Sequence, residues 1–429
     1  MRAVLRPLYA AAAQLARLGA VVAAPGSGAS KLTRTFAARR GIRARYARWG
    51  AAHDRSRNLL WMHAPSVGEG LQARPVLERL RARHPSLLLA YTYYSPSAER
   101  FAESLDVDFR EYLPFDTAGD ARAALDALAP RALVFSKLDV WPALTREAKR
   151  RGVRLGLVSA TLAADSSRRG AWAGLWLRDA YAALDAVGAV DADDAERLVA
   201  IGVSRSAVEI TGDTRYDQVW ARAARADRGG ALLAPLAADR PTIVAGSTWP
   251  TDEAPLLAAF EACRRQTPDA RLVIAPHEPT QAHLAPIEQW ARGAAIPLAR
   301  LDAEDAGVAD VVLVDRVGVL GELYALADIA YVGGAFHAAG LHSVLEPAAY
   351  GAPVIFGPRH GASRDARLLL AAGGARTVAD PGELTAALLE WLGSATARAE
   401  AGRRARATVE GGLGAADRSA RLVEALLSG

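Results

Sequence analysis

The stretch VGGAFHAAGLHSVLEPAAYGAPVIFGPRH, residues 332–360, is the one whose reading decides the fold. An apolar run ends at Gly333-Gly334, and a short loop then carries His337, Gly340 and His342. A helix is expected from about Ser343, with Glu346 and Pro347 in its first turns. A second apolar run follows and closes on a Gly-Pro-Arg-His turn. Strand, glycine loop, helix and strand make a βαβ unit. Glycines let the backbone approach a phosphate, and a helix N-terminus offers unpaired N–H groups and a positive dipole end. A glutamate one turn into that helix can accept hydrogen bonds from both hydroxyls of a ribose. The candidate nucleotide-binding residues here are Gly333, Gly334, Gly340, His342, Ser343 and Glu346. The plainer alternative is a strand–turn–helix in which Ser343 caps and Glu346 compensates the dipole.

Working outward, the same rhythm extends both ways. Upstream, PTIVAGST, ARLVIAPHE and DVVLVDR read as strands separated by amphipathic stretches. The first runs into Gly246-Ser247-Thr248, whose amides and hydroxyls suit a phosphate; the second closes on a polar turn that carries His277. The first half repeats the pattern with RNLLWMHA, LLLAYTYYS, ALVFSKLDV, RLGLVSATL and LDAVGAVDA. Strands alternating with helices point to parallel, doubly wound sheets. The fold class expected is α/β with GT-B architecture: two doubly wound Rossmann-like domains with an interdomain cleft. The expected divisions are a basic N-terminal segment (residues 1–53), an acceptor-binding domain (54–218), a linker (219–241) and a nucleotide-sugar-binding domain with a helical tail (242–429). Nucleotide-sugar 2-epimerases and periplasmic binding proteins share this pattern, so the fold alone leaves function open.

In the first half, WMHAPSVGEG (residues 61–70) poses a sharper question. Ser66 and Glu69 stand at the Ser-x-x-Glu spacing of a capping box, in which the glutamate folds back onto a backbone N–H. A glutamate at the carboxyl end of a strand, flanked by Gly68 and Gly70 that leave room for a bulky acceptor, can equally serve as a general base.

Composition limits the remaining classes. With 429 residues the chain has room for two or three domains, and its single cysteine, Cys263, forms no intramolecular disulfide and no cysteine zinc cluster. The eight histidines are scattered, and no metal or cofactor is expected. Residues 1–53 hold ten Lys or Arg and no Asp or Glu, against a net charge of +5 for the whole chain. A basic head on a mildly acidic body suits an anionic surface. Few aromatics lie in this segment and no nucleic-acid motif is present, so nucleic acid is not the expected partner. The apolar stretch 3–24 is interrupted by Arg6, Pro7, Gln14 and Arg17. It reads as an interfacial helix followed by a polybasic arm on anionic lipid, peripheral or monotopic rather than spanning.

The serial order of motifs resembles the Kdo (3-deoxy-D-manno-octulosonic acid) transferases, as a divergent member. The matching pieces are the basic N-terminal arm, HAPSVGEG, KLDVWP, LVSATL followed by Ser166-Ser167-Arg168-Arg169, TGDTRYDQV, AGSTWPTDE, APHEPT, GELYALADIAYVGGAF and GLHSVLEPAAYGAPVIFGP. The resemblance implies a glycosyltransferase at the cytoplasmic face of the bacterial inner membrane, moving Kdo from CMP-Kdo to a lipid A precursor in lipopolysaccharide biosynthesis. It implies that Glu69 is the catalytic base and Glu346 the ribose ligand. Several positions depart from the family pattern. Lys137-Leu138-Asp139 replaces the usual Glu-x-Glu, and Pro276-His277-Glu278-Pro279 replaces Pro-Arg-His-Pro. Gly340-Leu341-His342-Ser343 replaces Gly-Gly-His-Asn, and Arg215 stands for a lysine.

An inverting transfer needs one base on the acceptor side and stabilisation of the departing CMP phosphate on the other. Glu69 is the expected base, with Asp139 as a helper that holds it or the acceptor. Arg215, Ser247, Thr248 and His277 join the glycine loop as donor ligands. Two other readings stay open on the residues: a GT-B transferase that uses a different nucleotide sugar, and a non-catalytic, membrane-surface nucleotide-sugar binder.

Overall fold

The computed structural model describes residues 6–22, 31–338 and 340–428. They form two compact units, one drawn from within residues 1–218 and 413–429, the other from within 219–412. Each unit is built on a seven-stranded parallel sheet.

In the first unit the strands are β1 (Leu59–His63), β2 (Leu88–Tyr93), β3 (Phe109–Tyr112), β4 (Ala132–Ser136), β5 (Arg154–Ala160), β6 (Ala186–Ala189) and β7 (Val208–Ile210). Their spatial order is β3-β2-β1-β4-β5-β6-β7. The chain first builds outward on one side of β1 and then crosses to β4. The two flanking pairs are in register through Trp61↔Ala90 and Trp61↔Leu133. Every residue of β1, β2 and β4 is buried, as expected for a sheet covered by helices on both faces. That explains why these strands read as continuous apolar runs.

The second unit repeats the scheme with β8 (Thr242–Thr248), β9 (Arg271–Pro276), β10 (Leu298–Arg300), β11 (Val311–Leu313), β12 (Ile329–Val332), β13 (Val354–Phe356) and β14 (Ala375–Thr377). Their order is β10-β11-β9-β8-β12-β13-β14. The direction changes between β8 and β12, as it does between β1 and β4. Ligands of doubly wound sheets bind outside the carboxyl ends of the strands at such a switch point. The backbone marks both places. Lys137 (φ 68°), Ser159 (φ 51°) and Ser247 (φ 55°), all non-glycine residues in the left-handed region, sit at the carboxyl ends of β4, β5 and β8. Each such conformation costs on the order of 1–3 kcal/mol and persists only where the surroundings impose it.

Three expected divisions are corrected. Residues 219–241 are not a free linker. Leu233 and Leu236 are buried in the second unit with Val244, Val273 and Leu301. The tail does not stay with the second unit, because helix Ala415–Ser428 packs on helix Val67–Arg83 and on β4–β6. It buries Leu422, Val423 and Leu426 in the first core, each worth about 1.5–3 kcal/mol. Gly156 in β5 makes room for it, since a Cβ there would lie 2.6 Å from Leu426.

The basic head also differs from expectation. Arg2 and residues 23–30 lie outside the described residues. Helices Lys31–Ala37 and Ile42–Ala52 are not a loose arm but part of the first unit, with Ile42, Tyr46 and Gly50 buried. Arg39 is 2% exposed, donates to the carbonyls of Leu113, Thr35 and Tyr94, and lies over the Tyr94 ring. Arg43 pairs with Asp120, and Arg45 with Glu111 at 2.5 Å. The apolar stretch does form a helix, Arg6–Val22, tied down where Tyr9 donates to Asp116 at 2.5 Å. No described helix is long and apolar enough to cross a membrane.

Candidate active site

At the carboxyl end of β1 the chain turns through Ala64-Pro65-Ser66 into helix Val67–Arg83, with Ser66 as the N-cap residue. The capping box does not form: the Ser66 side chain accepts no backbone hydrogen bond. Instead the Ser66 hydroxyl donates to Glu69 Oε2, and Lys137 Nζ stands 3.6 Å from Glu69 Oε1. The first helical turn is fixed to β4 by Ser136 Oγ, which donates to the Glu69 carbonyl at 3.0 Å. Glu69 therefore keeps a partly exposed carboxylate at the first sheet's switch point, held by a hydroxyl and faced by an ammonium.

Gly70 does not open the site to an acceptor. A Cβ there would lie 2.4 Å from Phe101 and 2.7 Å from the Tyr91 hydroxyl, so close helix–sheet packing demands the glycine. Gly68 has only Ser66 Oγ near it, at 3.8 Å.

Asp139 lies beyond β4 and pairs with Arg168 at 2.7 Å. Burial pushes its carboxyl pKa above the usual range; Arg168 opposes the shift, and the negative charge of Glu69 adds to it. Asp139 thus senses Glu69 but is held by Arg168. Arg215 stands in the first unit too, where its Nε and Nη2 donate to Asp213 Oδ2 at 2.9 and 2.6 Å. It is not among the second-unit residues with which the sequence grouped it.

The second unit's switch point is furnished differently. Ser247, left-handed, is the last residue but one of β8, and Gly333-Gly334 follow β12. Gly334 has φ 94°, and a Cβ there would lie 2.2 Å from the Gly340 carbonyl oxygen, so only glycine lets this loop fold back on itself. Asp252 holds the loop from helix Pro250–Arg264. Its carboxylate accepts from the amides of Trp249, Gly334 and Phe336 at 3.0, 2.8 and 3.2 Å. The Thr248 hydroxyl is buried and donates to Glu253 at 2.9 Å, so it is already committed within the second unit. Ser343 is exposed and caps nothing; the helix runs only from Leu345 to Ala349 with Val344 at its N-cap.

Around the loop stands a cluster of flat rings. Trp249 stacks with His277 (centroids 4.8 Å) and His337 (4.5 Å), and His277 stacks with His342 (4.5 Å). Trp249 Nε1 donates to His342 Nε2 at 3.2 Å, which leaves the proton of a neutral ring on Nδ1. Burial, and then His277, lower the pKa of His342, which favours that neutral form. The rings stack rather than converge, and among the described residues no group of three His, Cys, Asp or Glu is placed to hold a metal.

Glu346 accepts from Arg222 Nη1 at 2.8 Å. Burial raises its pKa and Arg222 opposes the rise. Trp249 and Asp252 were visible within the matching piece AGSTWPTDE but carried no assigned role, and Arg222 escaped the sequence reading, because only the fold brings it to Glu346. Arg168 was visible within a matching motif but carried no assigned partner.

Two doubly wound parallel units, each with chemistry at its switch point, define a two-domain α/β protein of GT-B type. The UDP-GlcNAc 2-epimerase of Neisseria meningitidis bound to UDP-GlcNAc is similar in fold, with a TM-score of 0.64 at 14% identity over 87% of this chain and 100% of that one. The family is read from sequence. Residues 40–218 match the family described as 3-Deoxy-D-manno-octulosonic-acid transferase (kdotransferase). The chain is 33% identical to the 3-deoxy-D-manno-octulosonic acid transferase of Bordetella pertussis, over 87% of this chain and 89% of that relative. It is 27% identical to that of Haemophilus influenzae, over 73% and 74%. The chain belongs to the Kdo transferase family and is a glycosyltransferase.

Proposed function

We propose that this enzyme transfers Kdo from CMP-Kdo to a hydroxyl of a lipid A precursor, with inversion. Glu69 takes the proton of the acceptor hydroxyl, whose oxygen attacks the anomeric carbon while the bond to the CMP phosphate breaks. The observation that carries this reading is the carboxylate of Glu69, left outside the helix cap at the β1/β4 switch point. The Ser66 hydroxyl fixes its direction and Lys137 faces it at 3.6 Å. Asp139 and Arg168 are positioning residues beside it.

The second unit takes the nucleotide. Gly333, Gly334, Gly340 and Ser247 allow phosphate to approach the backbone, and Glu346, oriented by Arg222, accepts from the ribose hydroxyls. His277 and His342 replace the arginine missing from Pro-Arg-His, offering ring N–H groups where the donor carries its phosphate and carboxylate. The enzyme works at the cytoplasmic face of the bacterial inner membrane. Helix Arg6–Val22 supports this, with Leu8, Leu15 and Leu18 exposed by 60–68% and no acidic residue.

The test is incubation of purified protein with lipid A precursor and a panel of CMP- and UDP-sugars, followed by mass spectrometry of the lipid. Kdo addition from CMP-Kdo, abolished by Glu69→Gln, is expected. Addition of another sugar alone would replace the donor assignment, and no addition from any donor would leave a binder.

A further inference from the structure

At the amino-terminal edge of the second sheet lies a polar cavity that the transfer reaction does not use. Its volume is about 350 Å³, and its walls include Arg228, Arg240, Arg271, Arg398, Asp239 and Asp328. Thr242 opens β8 at this edge, whereas Thr248 ends β8 beside the glycine loop; six residue rises put roughly 20 Å between them. The cavity is therefore separate from the nucleotide loop.

Arg271, the first residue of β9, is 1% exposed. Its Nη2 donates to Thr242 Oγ1 at 3.1 Å, but its buried Nε and Nη1 make no hydrogen bond. Among the described residues no other side chain has two buried polar atoms without a partner. A buried guanidinium with unmatched N–H groups is costly unless an anion meets it. The aspartates nearby are largely committed elsewhere. Asp310 pairs with Arg240 and Arg264, and Asp328 accepts from the Thr242 amide and stands 3.6 Å from Arg398 Nε. Burial, and then Arg240, lower the Arg271 pKa to about 10, so the group stays cationic at neutral pH. Four arginines face two aspartates on the wall, a surplus of two positive charges.

We propose that this cavity binds a small phosphate-bearing dianion, with Arg271 as its buried anchor and Arg398 and Arg228 nearer the opening. A tetrahedral anion presents acceptors in several directions at once, which matches guanidiniums that line one cavity from a strand, a helix and turns, and its charge matches the surplus. Binding stabilises the second unit by supplying the partner that Arg271 lacks.

The full chain is tested by thermal unfolding and calorimetry with inorganic phosphate and pyrophosphate, against chloride at equal ionic strength. A saturable rise in Tm is expected with at least one of the two phosphates. Arg271→Met should weaken binding tenfold or more, and Arg398→Gln severalfold. His342→Ala, at the opposite end of the strands, should weaken it far less than either arginine variant. Absence of a saturable rise over chloride overturns the proposal. So does a loss in His342→Ala as large as that in the arginine variants, which would put the anion at the other edge. If Arg271→Met does not fold, Arg398→Gln decides alone, and unchanged affinity there overturns the site.

Discussion

The two switch points stand on similar sheets and differ in what they present. The first carries localised charges in pairs, Glu69 with Lys137 and Asp139 with Arg168. The second carries stacked rings, Trp249, His277, His337 and His342, around a glycine loop that one buried carboxylate fastens. Moving a proton needs a carboxylate whose position is fixed and whose charge is not cancelled by burial. Holding a nucleotide needs close backbone and flat surfaces. Even the histidines divide in this way. His63, in β1, is fully buried between Thr92 and the Trp141 indole, while His277, His337 and His342 of the second unit form the ring cluster at the loop.

The contrast breaks most visibly at Glu69. Glu69→Gln should lower turnover on the order of 10²–10⁴-fold, with folding and nucleotide affinity close to wild type. A variant that retains more than about a tenth of turnover would return Glu69 to a structural role, and single-turnover kinetics decides. Asp252→Ala comes next, because it strands the amides of Gly334 and Phe336. It should cost about 2–4 kcal/mol of stability in denaturant unfolding and weaken nucleotide binding. Unchanged stability would mean that the loop does not depend on that carboxylate. Glu346→Ala should weaken nucleotide affinity by about 1.5–3 kcal/mol, whereas Glu69→Ala should leave it nearly unchanged. Calorimetry giving the reverse pattern would exchange the roles of the two units.

The smallest effect sharpens the difference between the histidines. Burial holds the His63 pKa down to about 3, against an ordinary value near 6.5. Between these values the unfolded chain binds a proton that the folded chain does not, so stability falls as pH drops from about 6.5 toward 3. The limiting slope is about 1.4 kcal/mol per pH unit. Urea titrations from pH 7 to 4.5 should show this loss, and His63→Gln, which keeps a hydrogen-bonding side chain, should flatten the slope. An equally steep acid loss in His63→Gln would assign it to other groups.

Ten of the strands are legible in the sequence and four are not: β3, β7, β10 and β14. These four are the edges of the two sheets. Each has only three or four residues, and β7 and β3 carry exposed positions, so no continuous apolar run announces them. The central strands were legible because burial on both faces forces an apolar run. Site legibility divides along the same line. Glu69, Gly334 and Glu346 sit in local patterns that carry their own meaning. The Arg222–Glu346 pair and the Asp252 clasp join residues more than 80 positions apart, and no spacing rule reaches that far. Ser66-x-x-Glu69 was legible as a motif and misleading as a cap, because the two side chains bond each other instead of the backbone.

The return of helix Ala415–Ser428 to the first unit has a consequence for biosynthesis. Leu422, Val423 and Leu426 complete a core whose other members are made some two hundred residues or more earlier. During translation the second unit can fold as soon as it has emerged, but the first must wait until helix Ala415–Ser428 has been made, with one side of its sheet uncovered. Its β4–β6 face is then open to chaperones or to other nascent chains for the whole time the second unit is being made. A stop codon or a bulky fusion near residue 413 should therefore harm the half of the protein that was synthesised first.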